Sequence, residues 1–490
     1  MKRHKTHALL CLVLLIFIGT KGFSQQQNIS LQNSFQIKFE KALIADSNFQ
    51  HIGFQPILQS RVKSNPPENL KFNKLDEKSR LSRKLFHEHL ILYDSGDISM
   101  SLDPLFNFEF AEDRGESARD VNHYVNMRGF LFRLNLGKKI SVESTFRENQ
   151  SIMPTYLHLR TRKTRSAYGQ GRVKAFNKDG FDYAMASSVL SYSPSQRFNI
   201  QAGHGKLFVG YGHRSLLLSD LSFNYPYLKL NSTWFNERLQ YQNTYSIYQN
   251  LVRLQTNAES EGLLERKQAA THNLDYAIHQ NVNFGIFESV IFPSVDTSGN
   301  VSIPVNYWVP IMFVNSIVEK DKNTNNSLVG INYNVKLFKS LQIYGQLASY
   351  GLSSEKPSLQ IGSKYYFKQQ PIRLQVEYNS IAKNKLPTLF THYNESLTVP
   401  YGQNTDELYT SIVFHKKRWL TKIEGNRIMD NQYKTEVNYV DFQQSFIINQ
   451  ASNLAIKGGI KYRLEVLSKT EMEFIYFGLS TNLQNLYFNY

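Results

Sequence analysis

Ile372-Arg373-Leu374-Gln375-Val376-Glu377-Tyr378-Asn379 alternates apolar and polar side chains at every step. A period of two marks a β-strand whose two faces meet different surroundings. The same period runs through Val329, Ile331, Tyr333, Val335 and Leu337, set against Gly330, Asn332, Asn334 and Lys336. Ile140, Val142 and Phe146 alternate with Ser141, Glu143, Thr145 and Arg147. Ile456, Ile460, Tyr462 and Leu464 alternate with Lys457, Lys461, Arg463 and Glu465. The pattern begins near residue 99 and continues over the rest of the chain. Apolar-out, polar-in alternation over segments of ~10 residues is what a membrane barrel needs, one face meeting lipid and the other a wet lumen.

A soluble antiparallel sheet produces the same period with its apolar face on a core. Two further features favour the barrel. The chain ends Leu486-Tyr487-Phe488-Asn489-Tyr490, which reads as an alternating strand closed by an aromatic and resembles the signal used by the outer-membrane barrel assembly machinery. Connections also alternate between short and long. Gly137-Lys138, Pro194-Ser195-Gln196 and Lys339-Ser340 are tight turns, whereas 150–180, 203–222, 253–271, 293–303 and 383–406 are expected outside or folded into the lumen. Barrels keep tight turns at the periplasmic end and long loops outside. The expectation is an all-β fold: a transmembrane antiparallel β-barrel of about 16–18 strands over 96–490.

Residues 1–24 read as a secretory signal peptide. Lys2, Arg3 and Lys5 precede an apolar run from Ala8 to Gly19, and Gly22-Phe23-Ser24 offers small residues for cleavage before Gln25. The run is short for a spanning helix, which needs ~20 apolar residues. Cys11, the single cysteine, lies inside it, so the mature chain is expected to carry no disulfide, lipid anchor or thiolate metal site. Cleavage removes Lys2, Arg3, Lys5 and Lys21 and no acidic residue, lowering the net charge from +16 to +12. A basic exported protein faces acidic head groups or glycans rather than nucleic acid. Aromatic residues make up 13% of the chain, with 33 Phe and 29 Tyr. Tyrosine suits boundaries between apolar and wet surroundings, because its ring is apolar and its hydroxyl seeks a partner.

Residues 25–95 form the expected N-terminal periplasmic element. The stretch to about 65 is polar and weakly patterned, Pro66-Pro67 breaks the chain, and Lys74 to Leu90 reads as a helix with Leu75, Leu81, Leu85, Phe86 and Leu90 on one broad face.

Gly203-His204-Gly205-Lys206-Leu207-Phe208-Val209-Gly210-Tyr211-Gly212-His213-Arg214 departs from simple alternation and continues through Ser215 and Asp220 to Phe223-Asn224-Tyr225-Pro226-Tyr227. Its glycines allow tight turns or close approach to a ligand, or they ease barrel curvature. The run from Gly203 to Leu230 resembles the Wzi-like capsule-assembly barrels, with His204, Lys206, Tyr211, His213, Arg214 and Asp220 in the matching segment. It is preceded by Lys84-Leu85-Phe86-His87-Glu88-His89 and by Asp103-Pro104-Leu105-Phe106-Asn107-Phe108. Phe287-Glu288-Ser289-Val290 and Thr391-His392-Tyr393-Asn394 look like the Bacteroidota branch, often labelled gliding-motility surface proteins. The resemblance implies a barrel of about eighteen strands with a small helical element at the periplasmic end. It also implies no enzymatic activity or cofactor, and a role in holding capsular polysaccharide at the cell surface.

The residues themselves place polyanion contact in 150–180. Arg160, Arg162, Lys163, Arg165, Arg172 and Lys174 gather there with Tyr168, and guanidinium forks match uronate carboxylates and phosphates. The expected partners are an acidic surface polysaccharide (capsule, exopolysaccharide or lipopolysaccharide) and outer-membrane lipid, in the outer membrane. A porin-like channel for small polar solutes is the alternative, since lumenal Glu143, Arg147, Arg373 and Glu377 fit either role. His213, Ser215 and Asp220 supply the residue types of a hydrolase triad without its supporting motif. His87 and His89 are two apart, unlike the i, i+4 spacing of a helical metal pair.

Overall fold

The computed structural model describes residues 27–29, 37–62, 79–253, 264–293, 303–321, 326–351, 356–383, 389–481 and 486–489. The expected signal peptide and the Pro66-Pro67 break lie outside the described residues.

Eighteen antiparallel strands close into one barrel. They are β1 (Ile98–Asp113), β2 (His123–Leu136), β3 (Ile140–Ile152), β4 (Gly180–Tyr192), β5 (Phe198–Gly205), β6 (Tyr225–Trp234), β7 (Leu239–Arg253), β8 (Leu264–His279) and β9 (Val282–Pro293). There follow β10 (Ser327–Leu337), β11 (Leu341–Tyr350), β12 (Ser358–Tyr366), β13 (Ile372–Ile381), β14 (Thr405–Lys416), β15 (Trp419–Asp430), β16 (Thr435–Asn449), β17 (Leu454–Glu465) and β18 (Thr470–Ser480). Each strand pairs with its sequence neighbour, and β18 closes on β1 from Phe474 opposite Asp113 to Ser480 opposite Asn107. Closure leaves no free edge, so every strand finds backbone partners on both sides without solvent. Among the described residues no helix is long and apolar enough to cross a membrane.

Burial follows the alternation with the usual sense inverted. Along β13, Arg373, Gln375, Glu377 and Asn379 are buried while Leu374, Val376 and Tyr378 are exposed. Along β10, Asn332, Asn334 and Lys336 are buried against the interior. Phe110 and Phe477, on the closing strands, are 71% and 62% exposed. A water-soluble sheet would not present its large apolar side chains outward and hide its charges. The outer face is a belt for lipid.

At one end the connections are tight turns. Phe338 and Lys339, between β10 and β11, both take left-handed φ (53° and 55°), as a primed hairpin turn demands. The long connections gather at the other end, although β15–β16 and β17–β18 are joined there by short turns over 431–434 and 466–469.

Three expectations are corrected. The strand pattern does not continue to the C-terminus: β18 stops at Ser480, and residues 486–489 are not strand. Tyr487 and Asn489 are instead buried inside the barrel. Helix α2 (Arg80–Phe86) is much shorter than the segment read from Lys74 to Leu90, and Leu81, Leu85, Phe86 and Leu90 are exposed. The weakly patterned stretch before residue 65 holds helix α1 (Ile37–Ala45), which buries Ile37, Phe39, Glu40, Leu43 and Ile44.

The segment 37–62 sits in the short-turn mouth of the barrel. Lys364 and Arg373 reach the Glu40 carboxylate at 2.5 and 2.9 Å, His51 meets Asp275 at 3.1 Å, and Asn283 donates to the Gln50 carbonyl at 2.8 Å. Burial would raise the Glu40 pKa, but the two cations override it and lower the value to about 2.

Candidate functional site

The glycine-rich segment after β5 turns into the lumen. Phe208 and Val209 pair antiparallel with Gln55 and Phe54, so it meets the N-terminal segment inside the barrel. Leu207, Val209, Leu216, Leu217 and Leu218 pack with Phe54, Phe390, Leu397 and Val399, which brings three separate stretches into one apolar core. Full burial of such a side chain is worth roughly 1.5–3 kcal/mol, so the core is a substantial anchor.

A polar network fixes the same segment to the wall. Glu377 on β13 accepts the backbone N–H groups of His213 (2.6 Å) and Arg214 (3.0 Å) and the Tyr344 hydroxyl (2.9 Å). A side chain on Gly212 would strike the Glu377 carboxylate, and Gly210 takes a φ of 143°. These two glycines serve close approach, and what they approach is the barrel wall itself, the Glu377 carboxylate at Gly212 and the Gln346 amide at Gly210.

Arg214 is at the centre, 0% exposed like its partner Glu407. Its Nε and Nη2 donate to Glu407 Oε1 at 3.0 and 2.9 Å. The same Nη2 donates to the main-chain and side-chain oxygens of Asn489 at 2.9 and 3.0 Å. Tyr401, Asn379 and Asn426 also donate to the Glu407 carboxylate. One guanidinium thus joins the segment, the wall and the C-terminal tail. Tyr487 donates to Asp220 at 2.8 Å and Tyr156 to the Phe488 carbonyl at 2.7 Å, which holds the tail further.

The remaining residues of the matching segment have structural engagements. His204 lies on β5 with its Nδ1 3.0 Å from the Ala186 carbonyl, Lys206 donates to the Asp220 carbonyl at 3.0 Å, and Tyr211 is buried against α1 and Ile52. The triad residue types are committed apart: the His213 ring stacks on Tyr409, Ser215 donates to the Val209 carbonyl at 2.5 Å, and Asp220 receives Tyr487. His89 is buried at 2.5 Å from Asp103, and Glu88 pairs with Lys84 at 3.1 Å. This motif therefore fastens the chain where it enters β1.

The basic stretch 150–180 contains helix α3 (Thr155–Thr164), opened by Pro154 and ended by Arg165 in the left-handed region. Leu157, His158 and Thr161 are buried, while Arg162 and Lys163 face out. Arg165, Arg172 and Lys174 are exposed as well. Arg160 and Tyr168 differ: Tyr168 is buried and the half-buried Arg160 guanidinium lies 4.1 Å over its ring. Behind them Glu395, from a hairpin between β13 and β14, accepts the Gly169 N–H at 3.1 Å. Burial raises the Glu395 pKa to about 7 against the pull of Arg160. Loss of solvent lowers that of neighbouring Lys206 to about 8.

Beside these inward-folded segments, which plug the barrel, the lumen keeps a cavity of about 250 Å³, walled by β1–β4 and β15–β18 and roofed by the start of α3. Among the described residues no group of three His, Cys, Asp or Glu is placed to hold a metal ion.

Comparison with solved structures gives the fold. The chain superposes with a TM-score of 0.57 on Wzi, an outer-membrane protein involved in group 1 capsule assembly in Escherichia coli and a carbohydrate-binding β-barrel. Identity is 12%, and the match covers 94% of this chain and 100% of that one. This is the fold of an outer-membrane barrel. Pseudomonas aeruginosa OccK3 and Acinetobacter baumannii OccAB2 match 78% of the chain at TM-scores of 0.45 and 0.43, with identities of 10% and 8%. No family model and no curated protein matches the sequence.

Proposed function

We propose that this chain is a non-enzymatic outer-membrane protein that holds an acidic polysaccharide at the cell surface. The observation that carries the reading is the contrast between the two parts of the long-loop end. The lumen beneath it holds three chain segments locked by an apolar core and the buried Arg214–Glu407 pair. The outer loop presents Arg162, Lys163, Arg165, Arg172 and Lys174 to solvent. A diffusion channel needs an open lumen, whereas a binding surface needs exposed, matching charge. The carbohydrate-binding likeness of Wzi is in line with this reading. So is the sequence resemblance to motility-associated surface barrels, where polysaccharide would be held on a moving surface. Assembly would proceed through signal-peptide export and the barrel assembly machinery.

The test is the amount of cell-associated against shed polysaccharide in a strain carrying Arg162→Gln, Lys163→Gln and Arg165→Gln together. Shedding should increase while barrel abundance on a blot stays constant. Raised salt should mimic the variant, because exposed charges are screened over about 8 Å at physiological ionic strength. Unchanged retention in a whole-gene deletion overturns the reading. Porin-like conductance of the purified wild-type barrel in a planar bilayer would favour the channel instead.

A further inference from the structure

The geometry points to a second binding site inside the barrel: the cavity under α3 takes a single sugar acid, a hexuronate unit. The ligand class rests on the glycan reading above, but the location does not. The cavity is about 250 Å³, close to the lower end of small-ligand sites at roughly 300 Å³. It suits one sugar unit and excludes a polymer chain.

Its charges do not cancel. Lys457 pairs with Glu109 at 2.7 Å and Lys422 with Glu424 at 2.7 Å. The remaining charged lining residues are Asp441 and two cations, Arg147 on β3 and Lys461 on β17, so the lining carries one net positive charge. Lys461 is held in place by rings, its Nζ 4.4 Å from the Tyr476 centroid, 5.9 Å from Phe474 and 5.7 Å from Phe488. Arg147 is 8% exposed and donates to Thr145 Oγ1 at 3.0 Å. Its Nε and the Asn107 Oδ1 are buried with no hydrogen-bond partner among the described residues. A buried donor left unmatched is destabilising, so a carboxylate brought to Arg147 would relieve that cost.

The rest of the lining fits a sugar. Tyr156, Tyr476 and Phe488 give aromatic surface in the lining for the C–H face of a pyranose, and amides of Asn149 and Gln443 offer hydrogen-bonding groups for its hydroxyls. Placement agrees with occupancy from outside. The roof is α3, whose outer face carries Arg162 and Lys163 while Tyr156 and Leu157 line the cavity. One helix therefore stands between the exposed cations and the pocket.

The experiment is calorimetric titration of the purified detergent-solubilised barrel with D-glucuronic acid, with D-glucose as the neutral control. Glucuronate should bind at least roughly tenfold more tightly than glucose, a difference of ~1.4 kcal/mol. Arg147→Gln and Lys461→Gln should each weaken it by a similar factor, with heat-modifiable migration confirming folded barrels. Should Arg147→Gln fail to fold, Lys461→Gln decides alone. Equal binding of both sugars, or folded variants that bind as wild type, overturns the proposal. The surface reading fails separately: if deletion of the gene leaves polysaccharide retention unchanged while glucuronate still binds, the pocket stands without it.

Discussion

Replacing Arg214 by Gln should unseat the plug while leaving the barrel closed. Arg214 and Glu407 are both fully buried, and removing one partner of such a pair costs about 3–5 kcal/mol because the other charge is stranded. The same change removes both hydrogen bonds from Nη2 to Asn489, so the C-terminal tail loosens too. The backbone ladders keep their hydrogen bonds, since residue 214 lies between β5 and β6 and pairs with neither, although the stranded Glu407 sits on β14. At about 1.4 kcal/mol per factor of ten, the ratio of open to seated plug should rise by roughly 10²- to 10³-fold or more. Two assays report it: single-molecule conductance in planar bilayers, and limited proteolysis of the 206–224 segment in folded barrels. Charge neutralisation of the partner should rescue the defect. Arg214→Gln with Glu407→Gln places two amides where the ion pair stood; with its oxygen in the Oε2 position the substituted side chain at 407 keeps an acceptor for Tyr401 and Asn379 and gives up only the Asn426 contact. Raised salt should not reproduce the single variant, because a buried pair is screened far less than an exposed one. The reasoning is refuted if Arg214→Gln shows wild-type currents and proteolysis, or if the double variant opens as readily as the single.

Deletion of residues 486–490 should preserve heat-modifiable migration, because β18 completes its pairing with β1 by Ser480. It should increase proteolysis of the plug, since hydrogen bonds to a charged group are worth about 1.5–3 kcal/mol each; loss of folded barrel would show that the tail acts in assembly. Seating of the outer loop on Glu395 should weaken as pH rises through about 7. The carboxyl is raised above its ordinary value, so the stability it contributes is fully present below about 4.5 and is lost as it ionises. Hydrogen exchange at Gly169, corrected for its intrinsic pH dependence, should show this, and Glu395→Gln should abolish the trend. Glu40→Gln should loosen the N-terminal segment near neutral pH by stranding Lys364 and Arg373, seen as faster proteolysis of 37–62. Acid should do the same to wild type only as pH falls from about 4.5 toward 2, because this carboxyl is depressed.

The sequence by itself determined the wall. Strand faces are set by a period of two, a local property, so Ile372 to Asn379 told which side chains meet lipid and which meet the lumen. The tight turns at Gly137, Pro194 and Lys339 were legible for the same reason, and with them the alternation of connection lengths. The exposed cations of α3 were legible as composition, although the stacking of Arg160 over Tyr168 was not.

Only the tertiary structure decided what fills the barrel. Helix α1 leaves only Lys38, Ala42 and Ala45 exposed in the short-turn mouth, and its buried side includes a charge, so nine residues write no clean apolar stripe; Glu40 is buried because Lys364 and Arg373 wait on distant strands. The terminal aromatics looked like one more strand because alternation cannot tell pairing with β1 from folding inward. Long-range partners such as Asn489 with Arg214, or Gly169 with Glu395, lie hundreds of residues apart. Neither pattern nor propensity encodes such pairings, because they exist only once closure of the barrel brings its inner walls face to face.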